Sequence, residues 1–422
     1  MNFEQGRRRI LKQLAGGAGA VALGHTGIAR AQQGDTLRIG AILPLSGPLQ
    51  LYGNAVLNGM RVAADQFNRS GGVLGQKIEI VVRDDKASPA EAALVARDIL
   101  GSGIKLVIGG LLTAPSMPVI NLLNDNNALF FLTGSQIMGM THENFHPNVF
   151  RCQLNAHMSL YAVAGAMPKA NPNITRWGGI TPDNQFGIEN YKTFMAGLRK
   201  AYKTQLNKNI EVADPVLVAF PATDFKLQIS KIMASPIEGF YSSVVGADYL
   251  TMMSQARQLG MFSKLKAIVE AGSGTAIAKG LGANLPKDSL WTMTTWTPYA
   301  KDLNAVSKAY TRDYTAMTGD TNLDNLNWPG HTAMLSLAQA IRNAKSLETP
   351  VVRVALERVE VESISGPFRF RKEDHQAIMN ISVFKLQQTS SPPGWEIGRM
   401  INIKGDDVVE PATPGKAYVI ES

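Results

Sequence analysis

The chain holds a single cysteine, Cys152, so no intramolecular disulfide can form. Stability must come from burial, and 422 residues at 45% hydrophobic content supply enough for two domains. Cys152 itself, between Arg151 and Gln153, reads as a small buried residue and not as a nucleophile. Charge is sparse too, at 18% of residues. The formal net charge is +8, yet residues 1–31 carry Arg7, Arg8, Arg9, Lys12 and Arg30 against Glu4, a local +4 that leaves +4 elsewhere. The remaining cations are scattered, with no basic block interleaved with aromatics, which argues against nucleic acid as a partner. After the N-terminal region no stretch approaches the roughly 20 apolar residues of a membrane span. There is no G-x-S-x-G elbow, no Walker loop and no G-x-G-x-x-G after a strand, and Gly272-Ser273-Gly274 lacks the elbow spacing. No repeat or low-complexity domain is visible. These absences fit a binding protein: no catalytic residue, cofactor or metal is expected.

What is present begins at residue 36. Thr36 to Leu43 is a mostly apolar strand, as a parallel strand buried on both faces should be, and Ser46-Gly47-Pro48 breaks it. Val56, Met60, Ala63, Ala64 and Phe67 then recur at helical spacing until Gly71-Gly72. Ile78 to Val82 is a second strand ending in Asp84-Asp85. Ser88-Pro89-Ala90-Glu91 reads as a capping box with Pro at the first helical position. Lys105 to Ile108 is a third strand, closed by Gly109-Gly110. Alternation of this kind gives right-handed βαβ units on a parallel sheet, with ligands beyond the strands' carboxyl ends.

Further along, Trp177 to Thr181 opens a second α/β series, followed by a helix from about Gly187 to Tyr202. Pro215 to Phe220, Gly239 to Val245 and Leu265 to Val269 read as strands, and Phe225, Ile229 and Ile232 as one helical stripe. Helical runs span about Asn304 to Met317 and Trp328 to Asn343, and Met379 to Leu386 is a strand that crosses back. Ser390-Ser391-Pro392-Pro393-Gly394 is a turn between the last two strands. The tail from Gly405, with Pro411 and Pro414, reads as loosely held.

This ordered set, together with Asp183-Asn184-Gln185-Phe186-Gly187, Asp224-Phe225, Gln255 to Gly260 and Ser365-Gly366-Pro367-Phe368, closely resembles the periplasmic substrate-binding proteins of ABC transporters in the branched-chain amino-acid (Leu/Ile/Val-binding) class. The resemblance covers nearly all of the chain after residue 35. It implies the type I periplasmic binding fold: two doubly wound parallel-sheet lobes joined by a three-segment hinge, crossed near Gln153, Trp296 and Met379. Lobe 1 would comprise residues 35–153 and 297–378, lobe 2 residues 154–296 and 379–404, with 405–422 as a C-terminal tail. Members of the family that carry a disulfide in the first lobe have it at positions matching Ala87 and Leu112. The implied function is a soluble, monomeric solute receptor that closes on its ligand and delivers it to permease subunits in the inner membrane.

The N-terminus agrees with export. Gly6 to Lys12 resembles the twin-arginine consensus, with Ile10 where Phe is usual, and a weakly apolar stretch runs from Leu14 to Ala29. Ala29-Arg30-Ala31 supplies the small residues of a cleavage site, so residues 1–31 read as a signal peptide.

Carried over position by position, the resemblance implies ligand contacts from both lobes. Tyr52 corresponds to an aromatic over the ligand side chain, and Thr113 to a hydroxyl for its carboxylate. A helix start marked by Ser116 and Pro118 would add free N–H groups at Thr113; the plainer reading is a capping hydroxyl. Ser135 and Gln136 correspond to a hydrogen-bonding loop. Phe186 stands where many members have Tyr. Glu270 corresponds to the carboxylate that takes an α-amino group, against the plainer reading of a solvated loop residue. Gly246 lies where an aromatic pair is usual, which opens the pocket. The expected ligand is a small carboxylate-bearing solute, an amino acid first and an amide, urea-like solute or aromatic acid second.

One constellation points elsewhere. His142-Glu143-Asn144-Phe145-His146 fits the H-E-x-x-H zinc protease pattern, which requires both imidazoles on one helical face. Pro147 pushes His146 away from helical angles, so a loop is expected and the zinc hydrolase is a remote alternative.

Overall fold

The computed structural model describes residues 36–420, apart from 271, 322, 324 and 327; the signal-peptide segment 1–31 lies outside the described residues. Five strands form a first sheet: β1 (Leu37–Leu43), β2 (Ile78–Asp84), β3 (Leu106–Gly109), β4 (Leu129–Leu132) and β5 (Val149–Arg151). Their order is β2-β1-β3-β4-β5 and all neighbours run parallel, so every carboxyl end opens on one edge. Helix Gln50–Arg69 packs Val56, Met60, Ala63 and Phe67 inward, as their spacing requires. It stops before Gly71 and Gly72, both at positive φ; a Cβ on Gly72 would lie 2.0 Å from the carbonyl oxygen of Gln76, so only glycine fits. Helix Pro89–Gly101 begins as the sequence indicates, with the Ser88 side chain accepting from the Glu91 N–H.

The second sheet is larger. Its strands are β6 (Arg176–Pro182), β7 (Glu211–Val212), β8 (Val216–Val218), β9 (Gly239–Ser242), β10 (Ala267–Glu270), β11 (Leu290–Thr294), β15 (Ile381–Gln388) and β16 (Trp395–Ile403); β12 (Glu360–Ser363), β13 (Gly366–Phe370) and β14 (Ala377–Met379) form a separate antiparallel sheet. Here the expectation of two parallel sheets is refined: β15 pairs antiparallel with β11 and with β16, so the second sheet is mixed. The hairpin turn at 389–394 makes that edge possible, because antiparallel neighbours need only a short connection. Strand β9 ends at Ser242, sooner than expected, because the Ser242 hydroxyl accepts the Val244 N–H and turns the chain out of the ladder.

The chain passes between the two sheet layers at three places. After β5 it enters helix Ala156–Ala170, which packs on β11 and β15; after β11 it enters helix Ala305–Thr318, which packs on helix Gln50–Arg69; and β14 continues through Asn380 into β15. Cys152 lies at the first passage, fully buried, and burial pushes its thiol well above the usual range. Arg151 beside it is fully buried as well.

The tail corrects the expectation of a loosely held segment. Glu410 is 2% exposed and accepts from Asn155 Nδ2 at 2.8 Å and Arg371 Nη2 at 3.3 Å. His142 Nε2 lies 3.4 Å from the same carboxylate, and its Nδ1 meets the Thr413 hydroxyl at 2.6 Å. Gly415 donates to the His142 carbonyl at 2.7 Å, and the Tyr418 hydroxyl meets His157 Nδ1 at 2.5 Å. The prolines and charges of 405–414 read locally as solvated, but their partners lie far away in sequence.

Candidate ligand-binding site

Strands β6, β9 and β10 end side by side, and each delivers one wall of a recess. Past β6, the Asn184 side chain accepts from the Gly187 N–H at 2.9 Å and starts helix Gln185–Leu206. Phe186 and Asn190, four apart, therefore share a face toward the recess. Past β9, Ser243 bonds through its hydroxyl to Thr181 and to the Gly187 carbonyl, which holds the 242–245 turn against that helix start. Glu270 is the last residue of β10, 4% exposed. Leu160, from the start of helix Ala156–Ala170, and Gln136, from the loop after β4, complete the enclosure. The recess is small, a cavity of about 20 Å³, well below the roughly 300–1,000 Å³ of ligand sites.

Glu270 sets the electrostatics. Its oxygens accept from the Ser273 N–H at 3.3 and 3.2 Å and from the Thr292 hydroxyl. Burial pushes the carboxyl up to about 6, and these hydrogen bonds oppose the rise without abolishing it. Among the described residues no Lys, Arg or His pairs with it. A carboxylate has about four acceptor positions, so further donors can be taken. Burial also pushes the neighbouring Tyr241 and Tyr249 hydroxyls upward, so both stay neutral.

On the first layer, Thr113 is the opening residue of helix Thr113–Ile120 and not a cap before it; Leu112 occupies the cap position with no side-chain bond. The Thr113 hydroxyl instead meets the Ser135 hydroxyl at 2.6 Å, which brings these two candidate ligand contacts together. First-turn N–H groups of that helix lie outside its own ladder and favour an anion. Tyr52 is half-buried in the first turn of helix Gln50–Arg69, and Phe186 is 38% exposed. Gly246 opens helix Gly246–Gln258 at φ +63, and its neighbour Val245 lines the recess in its place. Gln136, Phe186 and Glu270 thus share one recess, while Thr113 and Ser135 form a hydroxyl pair beside the Gln136 loop.

Ser159, Asn190 and Tyr241 line the recess as well and Arg151 shapes it, although no motif marks these four residues. Arg151 donates to the Ile137 carbonyl at 2.6 Å, to the Ser135 carbonyl at 3.4 Å and to Gln376 Oε1 at 2.7 Å, so it shapes the loop carrying Ser135 and Gln136. Its signal was a lone arginine in an apolar strand; burial lowers its pKa to about 10, which leaves it charged. Asn190 was legible as the residue one helical turn after Phe186.

The H-E-x-x-H segment lies in turns. His142 faces Thr413 and Glu410, while His146 Nδ1 accepts from the Asn148 N–H at 3.1 Å. The two rings serve different partners. A second groove, beside Arg199, Lys200 and Lys203 on helix Gln185–Leu206, is floored by Ala196 and Ile210, and the polar residues that line it are all exposed.

Two open α/β sheets, three chain passages between them and a recess at the strand ends define a bilobal binding-protein architecture. The chain belongs to the periplasmic binding protein family, whose model matches residues 36–391. It is 23% identical to Leu/Ile/Val-binding protein homolog 4 of Brucella melitensis, over 94% of this chain and 96% of that protein. Among solved structures it resembles the leucine-, isoleucine-, valine-, threonine- and alanine-binding protein of Brucella ovis in its closed conformation, with TM-score 0.78, 20% identity and coverage of 91% and 99%. It also resembles a solute-binding protein of an ABC transporter from Rhodopseudomonas palustris BisB5 in complex with 3,4-dihydroxybenzoic acid, with TM-score 0.74, 15% identity and coverage of 88% and 98%. The fold is therefore the type I periplasmic binding fold.

Proposed function

We propose that the chain is the periplasmic receptor of an ABC transporter for a small α-amino acid, and not an enzyme. One observation carries this reading: Glu270 is buried at the mouth of three strands without a cation of its own among the described residues. A buried carboxylate is costly unless paired, and a ligand ammonium supplies the missing charge. Thr113, Ser135 and the first-turn N–H groups of helix Thr113–Ile120 take the ligand carboxylate, while Tyr52, Phe186 and the open space at Gly246 receive its side chain. Gln136 adds a hydrogen bond at the junction. Residues 35–153 with 297–378, and 154–296 with 379–404, act as lobes that close because the ligand touches both. The loaded monomer then docks on inner-membrane permease subunits. Export uses the twin-arginine segment, removed after Ala31.

The relatives named for leucine, isoleucine and valine support an amino-acid ligand. The neighbour holding 3,4-dihydroxybenzoic acid supports the second reading, an aromatic acid, which would require Glu270 to stay protonated. A thermal-shift screen of the twenty L-amino acids against aromatic acids and amides separates them, because a ligand of the folded state raises Tm. An amino acid should give the largest rise. A rise with aromatic acids alone would replace this reading with the second.

A further inference from the structure

The turn that presents Glu270 is held from the other sheet layer. After β10 the chain turns through residues 272–274 into helix Thr275–Leu281, which packs on helix Gly246–Gln258 of the second layer. Within the turn, Ser273 donates to both Glu270 oxygens, and the Gly274 N–H donates to the Thr292 hydroxyl at 3.0 Å while that hydroxyl donates to Glu270. The shape of this turn therefore fixes where the carboxylate points.

A helix start of this kind is ordinarily stabilised by a side chain at the position before it, accepting from the second or third N–H. Here that position is Gly274, which has no side chain. A side-chain acceptor comes from Asn325, 49 positions from Ala276: its Oδ1 shares the Ala276 N–H, at 3.1 Å, with the Ser273 carbonyl and takes the Thr275 hydroxyl at 3.2 Å. Asn325 is 3% exposed and stands between helices Ala305–Thr318 and Trp328–Ala344, both of which pack on helix Gln50–Arg69 of the first layer. Close fit adds to the bond, since a Cβ on Gly274 would lie 2.7–2.8 Å from the Asn325 amide. Thr275 also reaches Thr297, in the passage between the layers, at 3.4 Å.

We propose that Asn325 is a positioning residue for ligand binding: it caps the helix after Glu270 from the opposite layer, so the carboxylate is correctly presented only at this spacing of the two layers. Loss of the cap frees the 272–274 turn and blurs the aim of Glu270 without touching the ligand. The proposal rests on the reading of Glu270 as the ammonium site.

The test is a double-mutant cycle by calorimetry, using the L-amino acid that gives the largest thermal shift. Asn325→Ala should weaken binding roughly 3- to 10-fold in the wild-type background and add nothing in the Glu270→Gln background. Thr275→Val, which removes one donor to Asn325, should show the same pattern with a smaller loss. Equal losses of affinity in both backgrounds, or no loss in either, would overturn the proposal and leave the amino-acid reading intact. A Glu270→Gln protein that binds as wild type would instead sink that reading, and this proposal with it.

Discussion

Glu270 and Glu410 are both almost completely buried, at 4% and 2% exposure, yet they sit at opposite ends of the carboxylate range. Burial pushes Glu270 up to about 6, opposed by hydrogen bonds from Thr292 and from the Ser273-Gly274 turn and by no cation among the described residues. Burial pushes Glu410 upward too, but hydrogen bonds from His142 and Asn155 and the Arg371 charge hold it at about 2. One carboxylate brings its own cation and serves the fold. The other has none among the described residues and takes one from outside. Burial alone therefore does not mark a binding residue; burial with an unfilled charge requirement does.

The largest effect should come from Glu410. Glu410→Gln removes the charge facing Arg371 and His142 and should cost about 3 kcal/mol of stability in urea unfolding, near the low end for a broken buried pair. Asp374 limits the loss, since it still accepts from Arg371 at 2.8 and 2.5 Å. Ligand affinity should not change. Because the folded pKa of Glu410 is depressed, its contribution is present above pH 4.5 and lost as pH falls through about 2. An altered affinity with unaltered stability would erase the distinction between the two sites.

Glu270→Gln should do the opposite. A charge-assisted hydrogen bond is worth about 1.5–3 kcal/mol, so an amino-acid ligand should bind roughly ten- to a hundred-fold more weakly, while the ligand-free protein keeps its stability or gains some. The sign follows from the raised pKa: the contribution of Glu270 to ligand-free stability is present below pH 4.5 and lost as pH rises through about 6. The neutral amide removes that dependence. If affinity holds while stability falls, Glu270 belongs with Glu410 as a structural residue.

Thr113→Ala should have the smallest effect. It removes a neutral hydroxyl that also bonds Ser135, about 0.5–1.5 kcal/mol or roughly two- to tenfold in affinity, and leaves the helix N–H groups in place. A loss equal to that of Glu270→Gln would place the dominant charge contact on the first layer instead.

The same contrast explains what the sequence discloses. Local features were legible: the capping at Ser88, the stop at Gly71-Gly72, the face of helix Gln50–Arg69 and, to within one residue, the place of Glu270, which ends its strand instead of following it. These depend on neighbours within a few residues, where period and propensity carry the signal. The burial of Glu410, the grip of Arg151 on the Ser135 loop and the cap from Asn325 were not legible. Each joins residues tens of positions apart or more, or aims a buried group at a backbone carbonyl, and leaves no periodic trace. The antiparallel edge at β15 and β16 falls between: its turn was visible, but its pairing with β11 was a choice of topology.

The most direct test of the central claim is the pH dependence of affinity between pH 8 and pH 5, by calorimetry, for the best L-amino acid and its counterpart lacking the amino group. An ammonium binds Glu270 only as the carboxylate, so amino-acid affinity should be flat above pH 6 and then fall about tenfold per unit below it. The counterpart should bind weakly at pH 8 and gain as the pH falls. An amino-acid affinity that stays level from pH 8 to pH 5 would contradict the account, because the vacant charge at Glu270 would then play no part in holding the ligand.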